Sequence, residues 1–238
     1  MLDMFYKYVS NYEMDNDKIK LKYDHSIRVM ELSSEYAKKL GWNNEDIFIA
    51  KIIGLLHDLG RFEQFKVYGT FDDVVSIDHA NYSVEQLFDK GEIKKFVATR
   101  EYDDIIRLAI KNHNKKMIQG VTDDRTMKFC KLIRDIDKLD IYYNMACLGE
   151  ISCYTEPVCI SDAVLKNIKD NETVDIKNRK VRNDFVATNL AFVFDIYNDD
   201  LLPKIKEYID IIYQKLEHKI YFEEVYQEIN KYLEKRMK

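Results

Sequence analysis

Five histidines occur in the 238-residue chain: His25, His57, His79, His113 and His218. One of them is followed directly by a carboxylate, His57-Asp58, in the string LLHDLGRFEQF. Imidazole and carboxylate together make a good ligand set for Mn, Fe, Zn or Ni. A histidine–aspartate dipeptide alone is weak evidence, because it arises by chance in many chains. The other histidines strengthen it. His25 falls on the stripe His25, Val29, Leu32, Tyr36, Leu40, and His113 completes the stripe Tyr102, Ile106, Ala109, His113. Both stripes have helical spacing and read as inward-facing. Histidines gathered in an interior are costly unless something satisfies their nitrogens, and a metal ion does so.

The later string IRDIDKLDIYY offers three aspartates. Asp137 continues Cys130 and Ile133 on a face that reads as core. Asp135 groups with Lys131 and Lys138 on what reads as a solvent face, and Asp140 lies one turn beyond Asp137 on roughly the same side. Asp137 is therefore the expected ligand, with Asp140 as a supporting or substrate-contacting carboxylate. His218 ends a segment near 201–218, where a cationic side chain suits the helix dipole, and reads as structural.

The elements that must carry these residues read as helices. Residues 16–41 form a long amphipathic segment with Gly41 as a natural stop. Asn43 and Asn44 can cap the next helix, which runs through Ile47, Ile49, Ile52, Ile53, Leu55 and Leu56 to His57. Apolar residues surround it, so it reads as the buried central helix, stopped by Gly60. Residues 61–77 read as irregular. Ser76 or Asp78 can cap a helix ending near Gly91, and helices near 101–116 and 123–147 follow. The segment 148–160 reads as a connector, and three further helices are expected near 180–197, 201–218 and 221–237. No strand is signalled, and the fold class is all-α.

Composition agrees. Only 7 Gly and 2 Pro are present, too few for the turns of an all-β fold. Hydrophobic residues at 46% and charged residues at 33% describe an ordinary globular chain, long enough to bury its own core. The net charge of −5 argues against a grip on long nucleic acid, while leaving room for a local basic pocket. No apolar run approaches a membrane span, and MLDMFYKYVSNYEMD does not read as a signal peptide. Cys130, Cys147, Cys153 and Cys159 form no CxxC pair and read as reduced thiols. The expected location is the cytoplasm. The tyrosines Tyr208, Tyr213, Tyr221, Tyr226 and Tyr232 suit packing or a subunit contact, and leave a homodimer open.

In the order His25, His57-Asp58, Asp137, the sequence resembles the HD-domain superfamily of metal-dependent phosphohydrolases over about residues 20–147. His79 in SIDHANYS and His113 in IKNHNK resemble the two additional histidines of its dinuclear branch. The resemblance implies a helical HD-domain core over 1–150 and leaves 151–238 as a helical extension packed on it. It implies that His25, His57, Asp58 and Asp137 hold one divalent metal, and that Asp58, His79 and His113 hold a second. Mn, Fe, Zn, Ni and Mg are not distinguished by it. The HDLGR string is similar to the HDxGK of cyclic-dinucleotide phosphodiesterases, which places Arg61 where that lysine meets phosphate. The GYP-containing stretch of that subfamily is missing. A loose likeness to other bacterial HD proteins extends to RNDFVATNLAFVFDIY. The implied activity is hydrolysis of a phosphate ester, a nucleotide or other small phosphorylated metabolite, by metal-activated water. Asp58 and Arg61 would be catalytic, with Arg61, Lys111, Lys115 and Asp140 as substrate contacts. Two rivals share the pattern: a di-iron HD-type oxygenase and a non-catalytic nucleotide-binding sensor.

Overall fold

In the computed structural model, residues 1–149 and 154–238 are described, and among them the regular structure is entirely helical. Cys153, read above as a free thiol, lies outside the described residues. Cys130, Cys147 and Cys159 are free. The chain forms two units, Met1–Ile136 and Asp137–Lys238.

The first unit contains α1 (Leu2–Val9), α2 (Asp17–Lys39), α3 (Asn44–Leu56), α4 (Leu59–Tyr68), α5 (His79–Val84) and α6 (Asp103–Asn112). It also holds most of α7 (Asp124–Tyr143). The start and stop signals of α2 and α3 operate as their residue types dictate. The Asn16 side chain accepts from Lys18 N at 3.0 Å, and the Asn43 side chain accepts from Asp46 N at 2.8 Å. Gly41 follows the end of α2 in the left-handed region, at φ +71°. Ile49, Ile52, Ile53, Leu55 and Leu56 of α3 are buried, so it is a core helix as its composition requires. Each such side chain contributes about 1.5–3 kcal/mol of burial.

The expectations for α2 and for residues 61–77 need correction. The inward face of α2 is not the stripe drawn from His25 to Leu40. His25 and Val29 are buried, but Leu32 and Tyr36 are half-buried and Leu40 is exposed. The buried row instead runs through Ser26, Met30, Ser33 and Ala37, because small residues there admit α3. A Cβ on Gly54 would lie 2.8 Å from the Val29 carbonyl and 2.9 Å from Met30 Cα, so α2 and α3 touch at backbone distance. The second correction concerns residues 61–77, expected to be irregular. Half of them belong to α4, and Gly60 lies inside that helix rather than stopping its predecessor. A Cβ at Gly60 would meet His79 O and Ser83 N at 2.7 Å, so this glycine exists for close approach of α4 to α5.

Along α7, burial is nearly continuous from Leu132 to Asp140, with Asp137 half-buried. Asp135 and Lys138 are therefore not on a solvent face as expected. Lys138 is buried and pairs with Asp195 at 2.8 Å, so its charge is satisfied without water.

The second unit continues with α8 (Asp162–Lys169), α9 (Arg182–Leu190), α10 (Leu202–Lys215) and α11 (Glu223–Arg236). The helix α8 was not anticipated; it is short, and of its residues only Val164 and Ile168 are buried. In RNDF, Asp184 accepts from Ser161 N and Oγ and from Lys180 N, while Asn183 donates to the carbonyls of Glu156 and Val158. This buried pair gives irregular backbone its hydrogen-bond partners. His218 lies beyond the end of α10 and accompanies Thr155, its N donating to Thr155 Oγ1 at 3.2 Å.

Candidate metal centre

His25 comes from α2, His57 and Asp58 from the two-residue joint between α3 and α4, His79 from the first position of α5, and His113 from the end of α6. Local sequence sets each one. Asp78 caps α5 by accepting from Asn81 N at 3.1 Å, which places His79 at the helix start. The joint at His57-Asp58 lets Asp58 leave helical geometry (φ −100°, ψ 17°) and turn its carboxylate inward.

All five side chains are buried, at 4% exposure or less. Asp58 stands between two pairs of imidazoles. Its Oδ2 lies 3.6 Å from His25 Nε2 and 3.7 Å from His57 Nε2. Its Oδ1 lies 3.3 Å from His79 Nε2 and 3.5 Å from His113 Nε2. The Nε2 atoms within the pairs are 3.2 Å apart (His25, His57) and 2.9 Å apart (His79, His113). Ligand atoms about 2.1 Å from one ion sit about 3.0–3.4 Å from each other, and the separations here bracket that range, from 2.9 to 3.7 Å. The triplets His25, His57, Asp58 and Asp58, His79, His113 could each hold a metal ion.

The donor chemistry of the rings fits a cation. His57 Nδ1 donates to the Gly54 carbonyl at 2.8 Å and His113 Nδ1 to the Ile110 carbonyl at 2.7 Å. His79 Nδ1 donates to Asp73 Oδ2 at 2.6 Å. A neutral imidazole that gives its proton from Nδ1 has only a lone pair at Nε2. In that form the Nε2 lone pairs of His79 and His113 face each other and the Asp58 carboxylate. A positive ion converts that repulsion into coordination, and the hydrogen bonds behind the rings fix them for it. Burial, and then the Arg61 charge, hold the His79 pKa down to about 4, so the ring is neutral at pH 7. Burial alone would raise the pKa of Asp58; the charges around it, the Lys22 ammonium foremost, outweigh burial and hold the carboxyl well below its usual range.

A match to the HD-domain family model covers residues 23–145, just over half of the chain, and includes His25, His57, Asp58, His79 and His113. The chain belongs to the HD-domain family. No curated protein and no solved structure matches it. HD domains bind divalent metals, and most of the superfamily are metal-dependent hydrolases.

Arg61 adjoins the cluster, its Nε 3.7 Å from Asp58 Oδ1. Its Nη1 is spent on Asp73 Oδ1 (2.8 Å), Gln64 Oε1 (2.9 Å) and the Phe71 carbonyl. Lys115 is paired with Asp78, and Lys111 is exposed. Asp140 is fully buried and accepts from Asn144 Nδ2 at 3.0 Å. Asp137 is on α7 and is the first residue of the second unit.

Sequence reasoning missed three neighbours of the HD centre. Asp73 receives His79, Arg61, Gln64 and Asn114 together. Gln64 is buried and also donates to Ser76 Oγ and the Ile77 carbonyl, which fastens the 70–78 segment. Lys22 donates to Asp58 Oδ2 at 2.8 Å. Only Lys22 had a legible signal, since it lies one turn before His25 on α2.

No helix among the described residues is long and apolar enough to cross a membrane.

Proposed function

We propose that this HD-domain chain is a metal-dependent phosphohydrolase, cleaving a phosphate ester of a nucleotide or another small phosphorylated metabolite. The observation that carries the reading is Asp58, whose two oxygens each face a separate pair of imidazole nitrogens. One carboxylate placed in this way can bridge two ions, as phosphoryl-transfer centres with two metals require. Divalent ions held there would lower the pKa of water to about 7 and neutralise charge on a phosphoryl group.

The residues have distinct tasks in this reading. Asp58 sets the separation between the two halves and supplies negative charge to both. His25 and His57 complete one half; His79 and His113 complete the other. Asp137 is the proposed additional ligand of the His25–His57 half. It follows Arg134 by three residues on α7, and Arg134 Nη1 donates to the Asn112 carbonyl at 2.7 Å beside His113. Arg61 acts through Asp73 to hold the His79 ring, since its Nη1 is already engaged there. The burial of the five central side chains keeps bulk water out and strengthens every charge interaction inside.

The test is elemental analysis of protein purified without chelator, followed by a phosphate-release screen over nucleotides and simple phosphate monoesters. Bound Mn, Zn, Ni, Mg or Fe with released phosphate supports the reading. Metal-free protein, or two irons with no phosphate released from any compound, overturns it.

A further inference from the structure

We infer that Lys22 is a phosphate-binding residue of this centre, an ammonium that rests on the bridging carboxylate until an anionic substrate takes it. The inference rests on the phosphohydrolase reading and adds a residue to it.

Three observations carry it. First, Lys22 Nζ lies 2.8 Å from Asp58 Oδ2, the same oxygen that faces His25 and His57. Second, the Lys22 side chain is 18% exposed, whereas Asp58 and the four histidines are all at 4% or less. Lys22 thus touches the buried carboxylate and reaches solvent at once, which a group meeting an incoming substrate must do. Third, the neighbouring cations have closer partners elsewhere: Arg61 stands 3.7 Å from Asp58 Oδ1 but 2.8 Å from Asp73 Oδ1. Lys115 is bound to Asp78. Lys22 has the centre's own carboxylate as its partner and the Phe71 ring beside it, with Nζ 5.7 Å from the ring centroid.

The consequence is a competition. Lys22 and a divalent cation both seek Asp58 Oδ2, and their like charges repel. An ammonium on a flexible four-carbon stem yields more readily than a carboxylate fixed at a helix joint. Its three donors then have no acceptor until one arrives, and the oxygens of a phosphate are strong acceptors carrying the right charge. The same residue therefore opposes metal and favours phosphate.

Those opposite signs make the test. Binding of Mn²⁺ to the full-length chelator-treated chain, and of inorganic phosphate to the Mn²⁺-loaded chain, are measured by calorimetry for wild type, Lys22→Met and Lys22→Arg. Lys22→Met should bind Mn²⁺ several-fold more tightly and phosphate about tenfold or more weakly, a loss matching one charged hydrogen bond. Lys22→Arg should retain most of the phosphate affinity. If Lys22→Met leaves phosphate affinity unchanged, or weakens Mn²⁺ and phosphate together, the inference fails and Lys22 is a structural partner of Asp58. If wild type takes up no Mn²⁺ or other divalent ion, the phosphohydrolase reading itself fails and carries this inference with it.

Discussion

The two halves of the centre share Asp58 but are braced differently. In the His25–His57 half, His57 leans on a backbone carbonyl of its own helix, Gly54 O, and the shared carboxylate oxygen also receives Lys22. In the other half, His79 leans on the Asp73 carboxylate, which is itself held by Arg61, Gln64 and Asn114. A carboxylate behind an imidazole raises its basicity more than a carbonyl does. The difference teaches that His57 is braced within its own helix, whereas His79 depends on the irregular 70–78 segment.

Breaking the shared residue should have the largest effect. Asp58→Ala is expected to remove bound metal from both halves and abolish turnover, read by elemental analysis and phosphate release. Full metal content in that variant would reject the ligand assignment. His79→Ala comes next. It should lose one ion and keep the one in the His25–His57 half; loss of both, or of neither, would show that the halves are not separable.

Asp73→Ala should weaken metal in the His79 half alone by about 10–100-fold. A titration with Mn²⁺ reads this as one weakened step beside one unchanged step. Equal weakening of both steps would erase the contrast between carboxylate and carbonyl bracing. Packing provides a subtler test. Gly60→Ala should destabilise the metal-free chain by about 1–3 kcal/mol in a denaturant titration, because the atoms met by its Cβ are backbone atoms of α5. No loss would mean that α4 and α5 can part without cost.

The smallest expected effect concerns protons. His79 is held at about 4 when folded, below its ordinary value of about 6.5. Between those values the unfolded chain binds a proton that the folded chain refuses. Stability of the metal-free protein should therefore fall as pH drops from about 6.5 toward 4, and this contribution should be flat above 6.5. Chemical denaturation at pH 7.5 and pH 5 checks the sign, with His79→Gln as the control that should lose part of the slope. Equal slopes in the two proteins would remove His79 as the source.

Much of this was legible in the residues. Asn43, Asp78 and Gly41 announced helix boundaries because capping is a local property of side chain and backbone. The histidines and Asp58 were legible because few residue types ligate metals, and their order resembles a known family. Asp73 was not legible. It sits in a segment without periodicity, and its role appears only when His79, Arg61 and Gln64 converge on it. Gly60 was misread for a related reason. A glycine after a helix looks like a stop, and only the neighbouring α5 shows that it is a contact.

The sequence by itself determined that the chain is helical and that it carries histidines and aspartates in HD-family order. Helix propensity, capping and ligand chemistry are properties of residues and short spacings, so one dimension suffices to state them. The tertiary structure alone decided which of those residues meet. It turned the two oxygens of Asp58 toward different imidazole pairs, put Lys22 on one of them and spent Arg61 on Asp73. Those outcomes depend on contacts between residues tens of positions apart, and such contacts are fixed by how helices pack, not by what any one helix contains.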